Sequence, residues 1–192
     1  MTYQIHRYPA DLIDVVLLGA ERVVIRPVLP QDRDLTDAFF GNLSPRARHQ
    51  RFLAPMRLLP PGLVERLTDI DYSQHLALVA EVFASDRETV IAEARYARLP
   101  DGESAEFAIS VAEAWQGRGL ARLLIKKLID RAAAAGIRRI VGETLASNAA
   151  MLHLARSAQF TLQRSTDVAG LMVMTKTLEH LPRPGAEPAA AA

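Results

Sequence analysis

The sequence predicts an α+β fold of three layers: a mixed, mostly antiparallel central sheet flanked by helices. Three observations carry that prediction. The β-rich runs His75 to Phe83, Thr89 to Arg98 and Ser104 to Val111 are separated only by Ala84-Ser85-Asp86-Arg87 and Pro100-Asp101-Gly102, so they form an antiparallel meander. The apolar run Phe107 to Val111 then leads through a glycine-bearing turn, Gln116 to Ala121, into a long helix, and Arg138 to Glu143 returns as a strand. Such a βαβ return makes one local pairing parallel, with a right-handed crossover. Finally, 192 residues with 49% apolar and 23% charged side chains suit one globular domain with its own core.

In chain order, Leu12 to Leu18 and Glu21 to Val28 read as a hairpin around Gly19-Ala20, with Val23-Val24-Ile25 as the first core strand. Pro27 and Pro30 stop it, and Gln31-Asp32-Arg33-Asp34 opens a helix with acids in its first turn. Leu35, Ala38 and Phe39 share one face of that helix, which Gly41-Asn42 ends. Ser44-Pro45 starts the next helix, with a hydroxyl N-cap and proline at the first helical position. This helix carries Arg46, Arg48, His49 and Arg51 around Phe52; the cluster reads as a solvated basic face, or as a patch that steers an acidic partner or lies near a ligand's phosphates. Pro60-Pro61 opens a short helix from Gly62 to Thr68. The following Asp69-Ile70-Asp71-Tyr72 is a turn by composition, although two acids beside a tyrosine also suit an amine.

The long helix is expected from about Gly117 to Ala135, with Leu120, Leu124, Leu128 and Ala132 on its buried face and Gly136 as its cap. Ser147-Asn148 caps a helix through Ala158, and Phe160 to Arg164 and Leu171 to Thr177 finish the sheet. Residues 1–178 thus read as one domain, and 179–192, rich in proline and alanine, as a disordered tail.

Composition narrows the chemistry. A net charge of +1 leaves no nucleic-acid footprint, and zero cysteines exclude disulfides, a thiolate nucleophile and cysteine-based metal sites. The five histidines, His6, His49, His75, His153 and His180, are scattered, so no metal site is expected. No apolar stretch reaches the roughly 20 residues that span a membrane, and Met1 to Pro9 does not read as a signal peptide, so a cytoplasmic protein is expected.

The turn Gln116 to Ala121 is the most informative stretch. The first N–H groups of a helix have no intrahelical partner, and the helix end carries roughly half a positive charge. Glycines let the main chain approach an anion closely. A strand feeding such a turn is therefore suited to phosphate, though it also serves simply to pack a strand on a helix. No Lys-Ser/Thr ending follows, so this is not a P-loop, and the three-glycine dinucleotide pattern is absent.

The string Gln116-x-x-Gly119-x-Ala121 after a strand resembles motif A of the GNAT superfamily of acyl-CoA-dependent N-acyltransferases, and Asn148 through Phe160 resembles motif B. The segments Val24 to Pro27, Leu43 to Arg48 with Arg51-Phe52, and Leu67 to Tyr72 resemble the acetyltransferase domain of bacterial Pat-type protein lysine acetyltransferases. The resemblance covers about Tyr8 to Thr177 and implies the three-layer GNAT fold, with the βαβ unit as its acyl-CoA-binding core. It implies acetyl-CoA as co-substrate, held by the amides of Gly117, Arg118, Gly119, Leu120 and Ala121 after Gln116, with charge from Arg118 and Arg122. It also implies main-chain pairing of Ile109 and Val111 with the pantetheine arm, and a hydrogen bond from Asn148. The regulatory or synthetase-like regions often fused to Pat-type domains are not in this sequence.

In the Pat-type pattern a glutamate ten residues before the motif glutamine serves the acceptor amine, and here that residue is Glu106. The chemistry needs such a group: a lysine is only about 0.1% neutral near neutral pH, and making the neutral amine costs about 4 kcal/mol. Partial burial beside Phe107 and Ile109 is expected to raise the Glu106 carboxyl; Glu93 on the preceding strand is the competing base. The Val111 N–H is the implied oxyanion donor. Two positions depart from the family. Ala155 stands where many members have a tyrosine acid, with Ser157 or water as substitutes, and Gln159 replaces a glycine, which is expected to change the turn there. The resemblance implies transfer of acetyl to a primary amine by direct attack, with a protein lysine first, possibly on an acyl-CoA synthetase. A small amine, or a non-catalytic acyl-CoA sensor, are the alternatives, and the chain is expected to act as a monomer or homodimer. A broad cleft rimmed by Arg46 to Arg51 would favour the protein substrate, and a closed acidic pocket the small amine.

Overall fold

The structure, a computed structural model, describes residues 8–60, 62–84 and 87–179. The predicted tail from residue 180 and the Ser85-Asp86 turn lie outside the described residues. A single sheet of eight strands runs in the order β1-β2-β3-β4-β5-β6-β8-β7. The strands are β1 (Asp14–Leu18), β2 (Glu21–Pro27), β3 (His75–Ala84), β4 (Arg87–Arg98), β5 (Ser104–Val111), β6 (Arg139–Leu145), β7 (Thr161–Arg164) and β8 (Leu171–Thr177). The meander β3-β4-β5 is antiparallel as expected, and β5 pairs with β6 in parallel. The hairpin begins two residues later than the sequence suggested, because Ala10–Leu12 closes a short 3₁₀ turn ahead of β1.

The helices are α1 (Arg33–Asn42), α2 (Pro45–Phe52), α3 (Leu63–Thr68), α4 (Leu120–Ala134) and α5 (Ala149–Ser157). The long helix starts at Leu120 rather than Gly117, because Gly117 and Gly119 both take left-handed φ values, 73° and 88°, which a right-handed helix excludes. Its buried stripe, Leu120, Leu124, Leu128 and Ala132, packs on one sheet face together with Tyr96, Phe107 and Ile140. Phe39 and Phe40 of α1 and Leu67 of α3 cover the other face at Ala77, Val79 and Val90. Strand β3 is therefore covered on both faces, which is why Leu76 to Val82 reads as a nearly unbroken apolar run.

Two polar features organise the side that α1 to α3 cover. Arg26 of β2 binds Asp32 at 2.6 Å, Glu81 of β3 at 2.8 Å and Glu88 of β4 at 2.8 Å. Burial pushes the Glu81 carboxyl up to about 7, against the pull of Arg26. The predicted basic face of α2 is solvated only in part: Arg46 is exposed, but Arg48 and Arg51 are not. Arg48 is buried and donates to the carbonyls of Phe40, Gly41, Leu43 and Met56, while Arg51 also turns inward. Only eight residues long and with few apolar positions, α2 satisfies its position through these inward guanidiniums.

Candidate active site

Strands β5 and β6 are hydrogen-bonded neighbours only over Ser104↔Arg139, Ala105↔Ile140 and Glu106↔Val141. Beyond that they splay. A Cβ on Gly142 would sit 2.6 Å from Cε1 of Phe107, so glycine is what lets β6 come this close at the root of the splay. The Ala112 amide donates to the Ile91 carbonyl at 2.8 Å on β4. Successive amides of a strand point to opposite edges, so those of Val111 and Ile109 point away from β4 and into the splay. This opened edge forms one wall of a cleft of about 530 Å³.

The glycine turn forms the next wall. Gly119 is the N-cap residue of α4 and has no side chain to satisfy the first turn, so the amides of Leu120, Ala121 and Arg122 are free of helical partners. Gln116, Gly117, Gly119, Leu120, Ala121 and Arg122 all line the cleft. Free amides, a positive helix end and Arg122 make this a fitting cradle for a pyrophosphate. Gln116 also donates its side-chain amide to the Val111 carbonyl at 3.0 Å, tying the turn to β5. Arg118 stacks over Trp115 at 4.7 Å instead of lining the cleft. Trp115 does line it, and the sequence reading missed it because a lone tryptophan in a polar link carries no periodic signal.

Asn148 lies on the far wall with Met151 and Leu154 of α5. Its Oδ1 accepts from the Met151 amide at 3.2 Å as the helix N-cap, which leaves its NH₂ for a ligand. Ala155 is buried in the core, and Ser157 already donates its hydroxyl proton to the Leu154 carbonyl at 2.8 Å. Gln159 does not alter the turn, contrary to expectation. It takes φ 62°, the conformation a glycine would take, while Gln159 N bonds to Arg156 O and Phe160 N to Ala155 O, a Schellman ending. Phe160 then packs on Phe107 at 5.0 Å.

The half of the cleft under α2, the candidate acceptor half, is lined by Leu43, Ala47, Gln50, Arg51 and Leu53 together with Glu106 and Ser110. Glu106 is exposed there, so the partial burial expected of it is absent; it lines the cleft from β5. The competing base Glu93 is buried and bound by two arginines, Arg51 at 3.4 Å and Arg95, and it does not line the cleft. Glu106 and Glu143 are the carboxylates among the cleft-lining residues. Asp71, the other acid considered for an amine, instead accepts from the amides of Ser73, Gln74 and His75. Burial works to raise its carboxyl, and those three bonds outweigh it and hold it below the usual range. Among the described residues no three His, Asp or Glu side chains gather as a metal set, and no helix is long and apolar enough to cross a membrane.

Comparison with known proteins gives the same fold. Residues 47–160 match the family model for the acetyltransferase (GNAT) family. The chain is 37% identical to Acetyltransferase PA5475 of Pseudomonas aeruginosa over 145 residues, 76% of this chain and 78% of that protein. It is 33% identical over 140 residues to Acetyltransferase Pat of Mycolicibacterium smegmatis, covering 72% of this chain but 41% of that longer protein. Among solved structures, the GNAT domain of S. lividans PAT superposes with a TM-score of 0.81 at 29% identity, over 90% of this chain and 100% of that domain. With the splayed strands and the glycine turn inside the matched span, the chain belongs to the GNAT family of acetyltransferases, whose acetyl donor is acetyl-CoA.

Proposed function

We propose that this acetyltransferase moves the acetyl group of acetyl-CoA onto the side-chain amine of a protein lysine, with Glu106 as the base. The observation that carries the reading is the position of Glu106: exposed in the cleft, on the strand whose free edge faces the pantetheine arm, and opposite the α2 wall. The amides of Gly117 through Ala121, with Arg122, hold the pyrophosphate, Ile109 and Val111 pair with the pantetheine arm, and the Asn148 NH₂ bonds it. When bound, acetyl-CoA supplies the thioester carbonyl. The amine nitrogen bonds to that carbonyl carbon, its proton passes to Glu106 directly or through water, and the bond to sulfur breaks. The Val111 N–H, directed into the splay, donates to the carbonyl oxygen under attack. Ser157 holds its proton elsewhere and Ala155 has none to give, so CoA leaves as the thiolate, which a thiol pKa near about 8.5 permits.

A lysine fits the acceptor half better than a polyamine. Apolar Leu43, Ala47 and Leu53 suit an aliphatic stem, and the carboxylates of the cleft do not form an acidic basin for several ammonium groups. The resemblance of Val24 to Pro27, Leu43 to Phe52 and Leu67 to Tyr72 to Pat-type protein lysine acetyltransferases supports a protein acceptor, and an acyl-CoA synthetase is the first to try. The test follows CoA release from acetyl-CoA with a panel of acyl-CoA synthetases and a panel of small amines. Turnover with a protein acceptor is expected. Turnover confined to small amines would overturn the protein-lysine reading, and tight acetyl-CoA binding without turnover would make the chain an acyl-CoA sensor.

A further inference from the structure

The Arg51 side chain is a cation fixed in an apolar wall. It is 10% exposed, its guanidinium lies 4.9 Å from the Phe52 ring centre and 5.7 Å from that of Phe40, and it is paired to Glu93 at 3.4 Å. Glu93 in turn is held by Arg95 on the same face of β4. Two arginines share one buried carboxylate, Glu106 across the cleft is the other carboxylate that attracts Arg51, and the Arg51 Nε is buried with no partner. Arg51 still reaches the cleft beside Ala47 and Leu53, on the wall opposite Glu106.

We propose that Arg51 serves the reaction by repelling the acceptor's ammonium form, so that the amine sits in the acceptor half in its neutral, attacking form. A lysine stem lying on Leu43, Ala47 and Leu53 brings its nitrogen among apolar groups and next to a fixed positive charge, and both disfavour the protonated amine. Glu93, the two phenylalanine rings and the short α2 keep that charge in place; a flexible surface arginine would swing out to water. Burial pulls the Arg51 pKa down and Glu93 and Glu106 only partly restore it, yet an arginine remains charged throughout the working range. The other charged groups facing the two halves are Glu106 on β5, Glu93 and Arg95 on β4, Glu143 on β6, Arg122 on α4 and His153 on α5. Of these, Glu106, Glu93 and Arg95 interact electrostatically with Arg51, so the Arg51 profile is read against the Glu106→Gln profile, in which the base cannot titrate.

This inference rests on the reading of Glu106 as the base for an amine. The probe acceptor is n-butylamine, the lysine side chain without its backbone, with acetyl-CoA as donor, compared at about pH 7 and about pH 9.5. For Arg51→Met, kcat near neutral pH is expected to fall about tenfold, KM for the amine to hold or fall, and the deficit to close at alkaline pH, where the amine loses its proton unaided. Affinity for acetyl-CoA is expected to be unchanged, which also reports that the chain is folded. The pair variant Arg51→Met with Glu93→Gln removes the cation without stranding the buried carboxylate and is expected to behave alike. A deficit equal at both pH values, or a raised KM with kcat intact, would reduce Arg51 to a pin for α2 and overturn the proposal. Glu106→Gln is run alongside. If it matches the unaltered chain, the base assignment has failed; if it is impaired while Arg51→Met shows no pH-dependent deficit, only the Arg51 inference has failed.

Discussion

Replacing Gly119 by alanine separates the role of the glycine turn in shape from its role in binding. A Cβ at Gly119 would meet nothing within 4 Å, so there is room for it. The obstacle is the backbone: φ is 88°, a region where an L side chain costs about 1–2 kcal/mol. The turn relieves that strain by rotating the peptide planes that precede α4, which turns at least one amide out of the cleft. A hydrogen bond to a charged group is worth roughly 1.5–3 kcal/mol, so acetyl-CoA affinity is expected to weaken by roughly ten- to hundredfold. Calorimetric titration of Gly119→Ala with acetyl-CoA, and then with acetyl-pantetheine, gives the decisive contrast. Acetyl-pantetheine lacks the pyrophosphate and is expected to bind as before. An equal loss for both ligands, or a loss of stability with acetyl-CoA affinity intact, would refute the assignment of these amides to the pyrophosphate.

Three further outcomes follow from single positions. Gln159→Gly removes a side chain from a left-handed position and is expected to stabilise the fold by about 0.5–1 kcal/mol in chemical denaturation, with the Schellman bonds kept. Gly142→Ala drives a methyl into the Phe107 ring at the root of the splay, and a loss of about 1–3 kcal/mol is expected from the same measurement. The Glu81 carboxyl, pushed up to about 7 by burial, keeps its proton in the fold over a range where the unfolded chain has already released it. Its contribution therefore declines as pH rises from about 4.5 to about 7, and Glu81→Gln is expected to flatten the pH dependence of melting temperature in that window.

Much of the fold was legible because its signals are local. The meander is written in alternating runs between turn residues, and the long helix in the stripe Leu120, Leu124, Leu128, Ala132. The glycine turn, Glu106 and Asn148 were legible through the family resemblance, and the structure brings them to one cleft. What failed to show was anything decided by long-range partners. Arg48 and Arg51 looked like a solvated face because the carbonyls of Phe40 to Leu43 and the carboxylate of Glu93, which draw them inward, are distant in the pattern or in the chain. Glu106 was expected to be half-buried from its apolar neighbours in sequence, yet alternation along β5 turns those neighbours to the opposite face. Gln159 was judged by residue type, whereas the turn imposed its conformation on the glutamine.

The central claim is that Glu106 takes the proton from an acceptor lysine, and its most direct measurement is mass spectrometry of a protein acceptor after incubation with acetyl-CoA and this chain. The unaltered chain is expected to add acetyl to lysine side chains of an acyl-CoA synthetase, and Glu106→Gln to do so at least roughly a hundredfold more slowly near neutral pH with unchanged affinity for acetyl-CoA. Equal lysine acetylation by Glu106→Gln would contradict it.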